Sequence, residues 1–168
     1  MGVRRAKGAA GKNLVGFEVG GVLYAIDIQR VREIVRPSPT LPLPQLPEAV
    51  VGVVDHRGDV LPVIDLRKRF GVEPAVPQRH VRWLIVTSGG RLAGLVVDRV
   101  TDVLGAVDSD SRELPELSQS VAVRALRAAY AYGERLVFVL DVDVLAEIVR
   151  RIELPATVPP KRGADGAR

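Results

Sequence analysis

The chain has two imidazoles, His56 and His80, and no thiol. His56 sits in the run Gly52-Val53-Val54-Asp55-His56-Arg57-Gly58-Asp59. An imidazole beside a carboxylate is the pairing of a general base, and His56 with Asp55 and Asp59 is a set of metal-ligating types. The spacing argues against both chemistries. No serine or cysteine nucleophile is placed nearby, neighbouring turn residues point apart, and a metal site needs three or four converging ligands. The motifs H-E-x-x-H, G-x-S-x-G and G-x-x-x-x-G-K are missing from the sequence. Asp98, Asp102, Asp108 and Asp110 form an acidic run, but without the glycine and spacing of a calcium loop. They read as solvated strand ends and turns. No catalytic, cofactor or metal site is therefore expected. What remains is a surface that binds protein. There Arg57 is the first candidate, because a turn projects its side chain outward and a guanidinium pairs bidentately with a partner carboxylate. From the turn alone, an ordinary exposed arginine is the better reading.

The elements that would hold these residues are mostly strands. Gly58-Asp59, in the turn His56-Arg57-Gly58-Asp59, separates two β-branched runs, and glycine supplies the positive φ that such a tight turn needs. Val15, Phe17 and Val19 alternate on one face, and Gly20-Gly21 joins residues 14–19 to 22–28 as a hairpin. Residues 31–35 suggest a helical turn passing into a strand. Pro37, Pro39, Pro42, Pro44 and Pro47 follow; proline cannot donate to a ladder, so this is an extended connector along an edge. Residues 81–87 and 92–97 form a third hairpin, 103–107 a short strand, and 108–120 an acidic loop. Residues 121–132 are ambiguous in pattern, and their Ala-rich composition permits helix. After a strand at 135–141, Val144, Leu145, Ile148, Val149 and Ile152 recur at helical spacing. Asp141 or Asp143 can cap that helix, and Pro155 ends it. A faint internal echo links residues 58–66 with 133–142. Each is a Gly-acid turn, an apolar run and an Asp, which suggests two similar lobes.

Composition bounds the class. Apolar residues are 47% of 168, with 16 Gly and 12 Pro, which favours short strands and turns over long helices. The lack of cysteine suits a reducing compartment. Residues 1–13 hold basic residues without an apolar stretch behind them, unlike a secretory signal. No apolar run approaches a membrane span, so no direct membrane insertion is expected. The net charge of +4 sits in the ends: residues 1–13 carry +4 and residues 150–168 carry +3, leaving −3 for the middle. That removes the electrostatic case for nucleic-acid binding by the folded part. The ends, 1–13 and 151–168, are expected to be solvated tails.

The order of residues 52–71, G-V-V-D-H-R-G-D-V-L-P-V-I-D-L-R-K-R-F-G, resembles the CheW family of adaptor domains in bacterial chemosensory arrays. Asp55 stands where that family usually carries Asn. Four further pieces resemble the family: F-E-V-G-G-V-L-Y-A-I-D-I at 17–28, V-R-E-I-V at 31–35, L-A-G-L-V-V-D-R-V-T-D-V-L at 92–104, and G-E-R-L-V-F-V-L-D-V-D-V-L at 133–145. Residues 125–132 lack the glycine of the family's strand there. The resemblance implies a mainly β fold of two intertwined five-stranded SH3-like barrel lobes with a short C-terminal helix. The domain would span 14–150, one lobe near 22–80 and the other near 14–21 plus 81–150. It implies a non-enzymatic cytoplasmic adaptor in receptor arrays. Its partners would be the cytoplasmic tip of methyl-accepting chemoreceptors, the regulatory domain of a CheA-type histidine kinase, and other CheW-like domains in rings. A variant serving a non-motility pathway, or binding receptor without kinase, is the alternative. By resemblance Arg57, Glu33 and Val31 belong to the partner-contact region, with Ile28, Val31 and Val97 as apolar anchors. Gly52 would allow close backbone approach. From the residues alone, Val31 fits a core strand equally and Gly52 a plain strand bend.

Overall fold

Period-two apolar patterning and paired turn glycines cut this chain into short strands. A computed structural model describes residues 12–106, 111–112 and 120–159. β1 (Lys12–Val19) and β2 (Val22–Asp27) turn at Gly20-Gly21. A 3-10 turn at Ile28–Arg30 is capped by the Asp27 carboxylate and leads into β3 (Val31–Val35). β4 (Val50–His56) and β5 (Asp59–Asp65) form the signature hairpin, followed by α1 (Leu66–Phe70). β6 (Arg82–Ser88) and β7 (Arg91–Val97) form the next hairpin, and β8 (Arg99–Ala106) follows. Then come β9 (Ser111–Arg112), α2 (Val121–Ala125), β10 (Leu126–Tyr132), β11 (Arg135–Leu140) and α3 (Val142–Leu145). The two alternatives for residues 121–132 are thus both realised, one after the other.

Two sheets result, in the orders β8-β1-β2-β11-β10-β9 and β3-β6-β7-β5-β4. This corrects the expected lobe boundaries. β2 pairs with β1 along its whole length, and β6 and β7 join the sheet of β3 to β5. Two parallel pairings, β2 with β11 and β5 with β7, connect strands distant in sequence. Local hairpin signals carry no information about such pairs. The internal echo has a structural counterpart. β5 and β11 each end a hairpin, pair parallel with an earlier or later strand, and pass through a capping Asp into a short helix. The Asp65 carboxylate accepts from Arg67 N at 2.9 Å, and that of Asp141 from Asp143 N at 2.8 Å.

Alternation decides the packing. On β6, Leu84 and Val86 face a core shared with Val15, Phe17, Val19 and Ile26 of the other sheet. Trp83 and Ile85 face a second cluster with Leu61 and Val63, within the five-stranded sheet. Leu14, Leu23, Leu104 and Val137 form a third cluster in the six-stranded sheet. Strands buried on both faces read as continuous apolar runs. Val97 is fully buried in the shared core, 0% exposed, so it cannot line a surface; the expectation of an anchor there is corrected.

Asp98, expected among solvated residues, is also fully buried. Its backbone N–H donates to Glu18 O at 2.9 Å, and its Oδ2 accepts the Gly20 N–H at 2.8 Å. Arg67 Nη1 stands 3.6 Å from its Oδ1, while Arg67 Nε and Nη2 donate to Asp65 at 3.1 Å each. A buried carboxylate needs such partners, since removal from water costs several kcal/mol. Asp102 is exposed, and Asp108 and Asp110 lie outside the described residues.

The C-terminal helix is shorter than the spacing from 144 to 152 suggested. Arg69, nearly buried, donates to the carbonyls of Leu145 and Val144 at 3.0 Å each, terminating α3. A 3-10 turn, Glu147–Val149, continues, and Ile152 still packs on the shared core. The expected tails at 1–13 and 151–168 lie outside the described residues up to 11 and from 160 onward, and the acidic loop is described only at 111–112 and 120.

Gly52 sits at a bulge in β4, at φ 144°. A Cβ there would stand 2.5 Å from the Leu41 carbonyl oxygen. Leu41 of the proline connector exchanges two hydrogen bonds with Val53, at 2.8 and 2.9 Å, and so covers the outer edge of β4. The close approach expected at Gly52 is therefore made by the chain's own connector. Gly52→Ala is expected to destabilise the fold by about 2 kcal/mol or more, from clash and backbone strain together. Urea unfolding checks this; a loss near zero would mean the connector does not hold its place.

Candidate protein-docking site

The tip of the β4–β5 hairpin is a two-residue turn between His56 and Asp59, which pair in register. Arg57 (φ 54°) and Gly58 (φ 84°) are both left-handed, the geometry of a type I′ turn that matches strand twist. Arg57 thus holds an uncommon conformation for a residue with a Cβ. The Gly58 N–H donates to Asp55 Oδ1 at 2.9 Å, tying the turn from below. The turn needs only an acceptor oxygen at this place, which Asp supplies as well as Asn would.

Arg57 stands 75% exposed and reaches sideways to Glu33 on β3, Nη2 to Oε1 at 2.8 Å. The other carboxylate oxygen, Oε2, meets His56 Nε2 at 2.8 Å. β3 and β4 are the two outer strands of the five-stranded sheet. The Glu33 carboxylate therefore fastens its two edges together with side chains. Ile28 and Val31 lie just before Glu33, half-buried against the shared core. Of the six residues expected to touch partners, the structure joins Arg57 and Glu33 and places Ile28 and Val31 on the same segment. It buries Val97 and sets Gly52 against Leu41.

Two features escaped the sequence reading. His56 looked like a polar tip residue, and its bond to Glu33 depends on a contact between edge strands 23 residues apart. The second is a polar tie behind Ile28. Arg30 Nε donates to Thr87 O at 3.0 Å, and its Nη2 pairs with Asp143 on α3. Ser88 Oγ donates to the same Asp143 oxygen at 2.7 Å. The Arg30 hydrogen bond, then that of Ser88, holds the Asp143 carboxyl below its ordinary range. Nearby, Glu147 is lowered first by Arg124, which donates at 2.6 Å, with Arg69 adding to it. These pairs pin the C-terminal segment to the β6–β7 turn and to α1 and α2.

A shallow depression between the β6–β7 turn and the C-terminal segment is lined by Pro62, Leu92, Ala93, Ala146 and Val149, with Ser88, Arg91 and Arg150 as its polar groups. Among the described residues, no group of three His, Cys, Asp or Glu gathers as metal ligands. No helix among them is long and apolar enough to cross a membrane.

The family model of the CheW-like domain matches residues 13–150. The chain is 34% identical over 134 residues to the chemotaxis protein CheW of Rhizobium meliloti, covering 79% of this chain and 86% of that protein. It is 35% identical over 136 residues to a probable chemotaxis protein CheW of Rhizobium etli, covering 80% and 86%. Among solved structures it resembles that of the scaffolding protein TtCheW from Thermoanaerobacter tengcongensis, with a TM-score of 0.75 and 28% identity over 86% of this chain and 99% of that one.

The lowered acids give a signed pH prediction. A carboxyl whose folded pKa lies below its unfolded value stabilises above the ordinary carboxylate range, and that contribution is lost as pH falls through the folded value. Asp143 and Glu147 are part-exposed, so screening keeps each contribution within about 1 kcal/mol. Hydrogen-exchange protection of the Leu145 and Ala146 amides is expected to fall more than that of β6 and β7 amides between pH 5 and pH 3. Asp143→Asn should remove part of the difference. Equal losses everywhere would contradict this anchoring.

Proposed function

The chain belongs to the family of CheW-like domains, and from that premise we propose that it is a non-enzymatic adaptor, coupling chemoreceptors to a CheA-type histidine kinase. It would bind the cytoplasmic tip of a methyl-accepting chemoreceptor with one face and the kinase's regulatory domain with another, in the cytoplasm beside the receptor array. Holding both on one body raises their effective concentration and fixes their relative geometry. A change of receptor state then alters kinase activity through contacts that differ between the two states. The relation between this domain and CheW-like kinase domains supports lobe-to-lobe packing into rings as the mode of kinase binding.

The observation that carries the docking role is the outward guanidinium of Arg57, 75% exposed at the tip of the turn and steered by Glu33. The left-handed conformation, uncommon for a residue with a Cβ, sets the direction in which the guanidinium projects. Ile28 and Val31 supply part-buried apolar surface beside it, the arrangement of an anchor with a polar rim.

Arg57→Glu tests the reading. It is expected to fold with an unchanged thermal midpoint within a few degrees, and to weaken capture of kinase and receptor tip together by about tenfold or more, since like charge then faces a partner carboxylate. Ternary assembly at the wild-type level by a folded Arg57→Glu protein would remove the hairpin tip from the docking surface.

A further inference from the structure

Glu33 has two partners, and the docking role given above to Arg57 uses only one of them. The Glu33 side chain is 29% exposed and that of Arg57 75%. A guanidinium that swung to a partner carboxylate would leave a partly desolvated Glu33 behind, and an abandoned charge of that kind offsets much of what the new pair gains. His56, on the other oxygen of Glu33 at 2.8 Å and 22% exposed, prevents this. We propose that His56 is a positioning residue that makes Arg57 releasable: it keeps Glu33 paired while Arg57 engages an acidic group on the partner. The inference rests on the adaptor reading and adds to it the residue that tunes the site.

The geometry gives the inference a sign. Nε2 of His56 stands 2.8 Å from one oxygen of Glu33 while Arg57 holds the other, so a donor at position 56 keeps the carboxylate paired when the guanidinium leaves, and an apolar side chain there does not. Losing one hydrogen bond of about 1 kcal/mol corresponds to about fivefold in affinity for an acidic partner.

Two arms test this. In the first, binding of the cytoplasmic tip fragment of a chemoreceptor from the same genome is measured for wild type, His56→Gln and His56→Leu. His56→Gln, which keeps a donor for Glu33, is expected to bind about as wild type does, and His56→Leu about fivefold more weakly. Equal affinity of His56→Leu and wild type would overturn the inference while leaving the adaptor reading intact. In the second arm the Arg57 Nε–H signal of the free protein is followed by NMR. It should keep its wild-type position in His56→Gln and move in His56→Leu. An Arg57 signal indifferent to His56→Leu overturns the inference without any partner. If neither wild type nor any variant binds the receptor tip while the Arg57 signal moves in His56→Leu, the partner assignment fails and the coupling within the tip stands.

Discussion

A guanidinium between two carboxylates, inside a body made of valine, leucine and isoleucine, is the contact on which the arrangement of the sheets depends. Asp65 lies at the end of β5, Arg67 in the first turn of α1, and Asp98 between β7 and β8. Through its second oxygen Asp98 holds the Gly20 turn of the β1–β2 hairpin, which belongs to the other sheet. The buried cluster therefore ties the end of one sheet to the turn of the other at a point where apolar packing alone would permit sliding. The hydrogen bonds that Arg67 donates to Asp65, ahead of the opposing cost of burial, raise the Arg67 pKa above its already high value, so the cation persists at any physiological pH. Apolar contacts supply most of the stabilisation and are non-directional. A paired buried charge adds direction, because only one geometry satisfies it.

The proposed docking site inherits this rigidity. The five-stranded sheet is fastened at its edges by Glu33 with Arg57 and His56, and along β4 by the Leu41 bridge. The six-stranded sheet carries the C-terminal segment, which returns to the β6–β7 turn through Arg30, Ser88 and Asp143. Residues 28–33 lie between these two sets of polar ties. Surface apolar residues there stand on a backbone already ordered, so a partner docking on them would cost little conformational entropy. An adaptor needs this more than it needs a pocket, since its product is a distance and an orientation.

Much of this was legible in the residues. The glycine-bearing turns and alternating runs announce each major hairpin, and the aspartate at 141 announces the short helix that follows it, whereas α1 after Asp65 escaped the sequence reading. The repeat of turn, strand and capping Asp anticipates the paired organisation. The failures have a common physical origin in contacts between distant segments. Val97 looks like any apolar strand residue, and nothing local says which of its faces meets a partner or whether both are buried. Asp98 is an acid among acids in the sequence, and only the arrival of Arg67 and the Gly20 amide makes its burial tolerable. The lobe boundaries shifted because the parallel pairings of β2 with β11 and β5 with β7 have no local signature. The role of His56 was hidden for the same reason: its partner sits on the opposite edge of a sheet.

The measurement that bears most directly on the central constraint is a double-mutant cycle between Arg67 and Asp98, using Arg67→Met, Asp98→Asn and the double variant in urea unfolding. The cluster described here predicts a coupling energy of about 2 kcal/mol, with each single change more damaging than the double change would suggest by addition. A coupling below about 0.5 kcal/mol, the scatter expected of independent sites, would contradict it. The sheets would then be held by apolar packing alone.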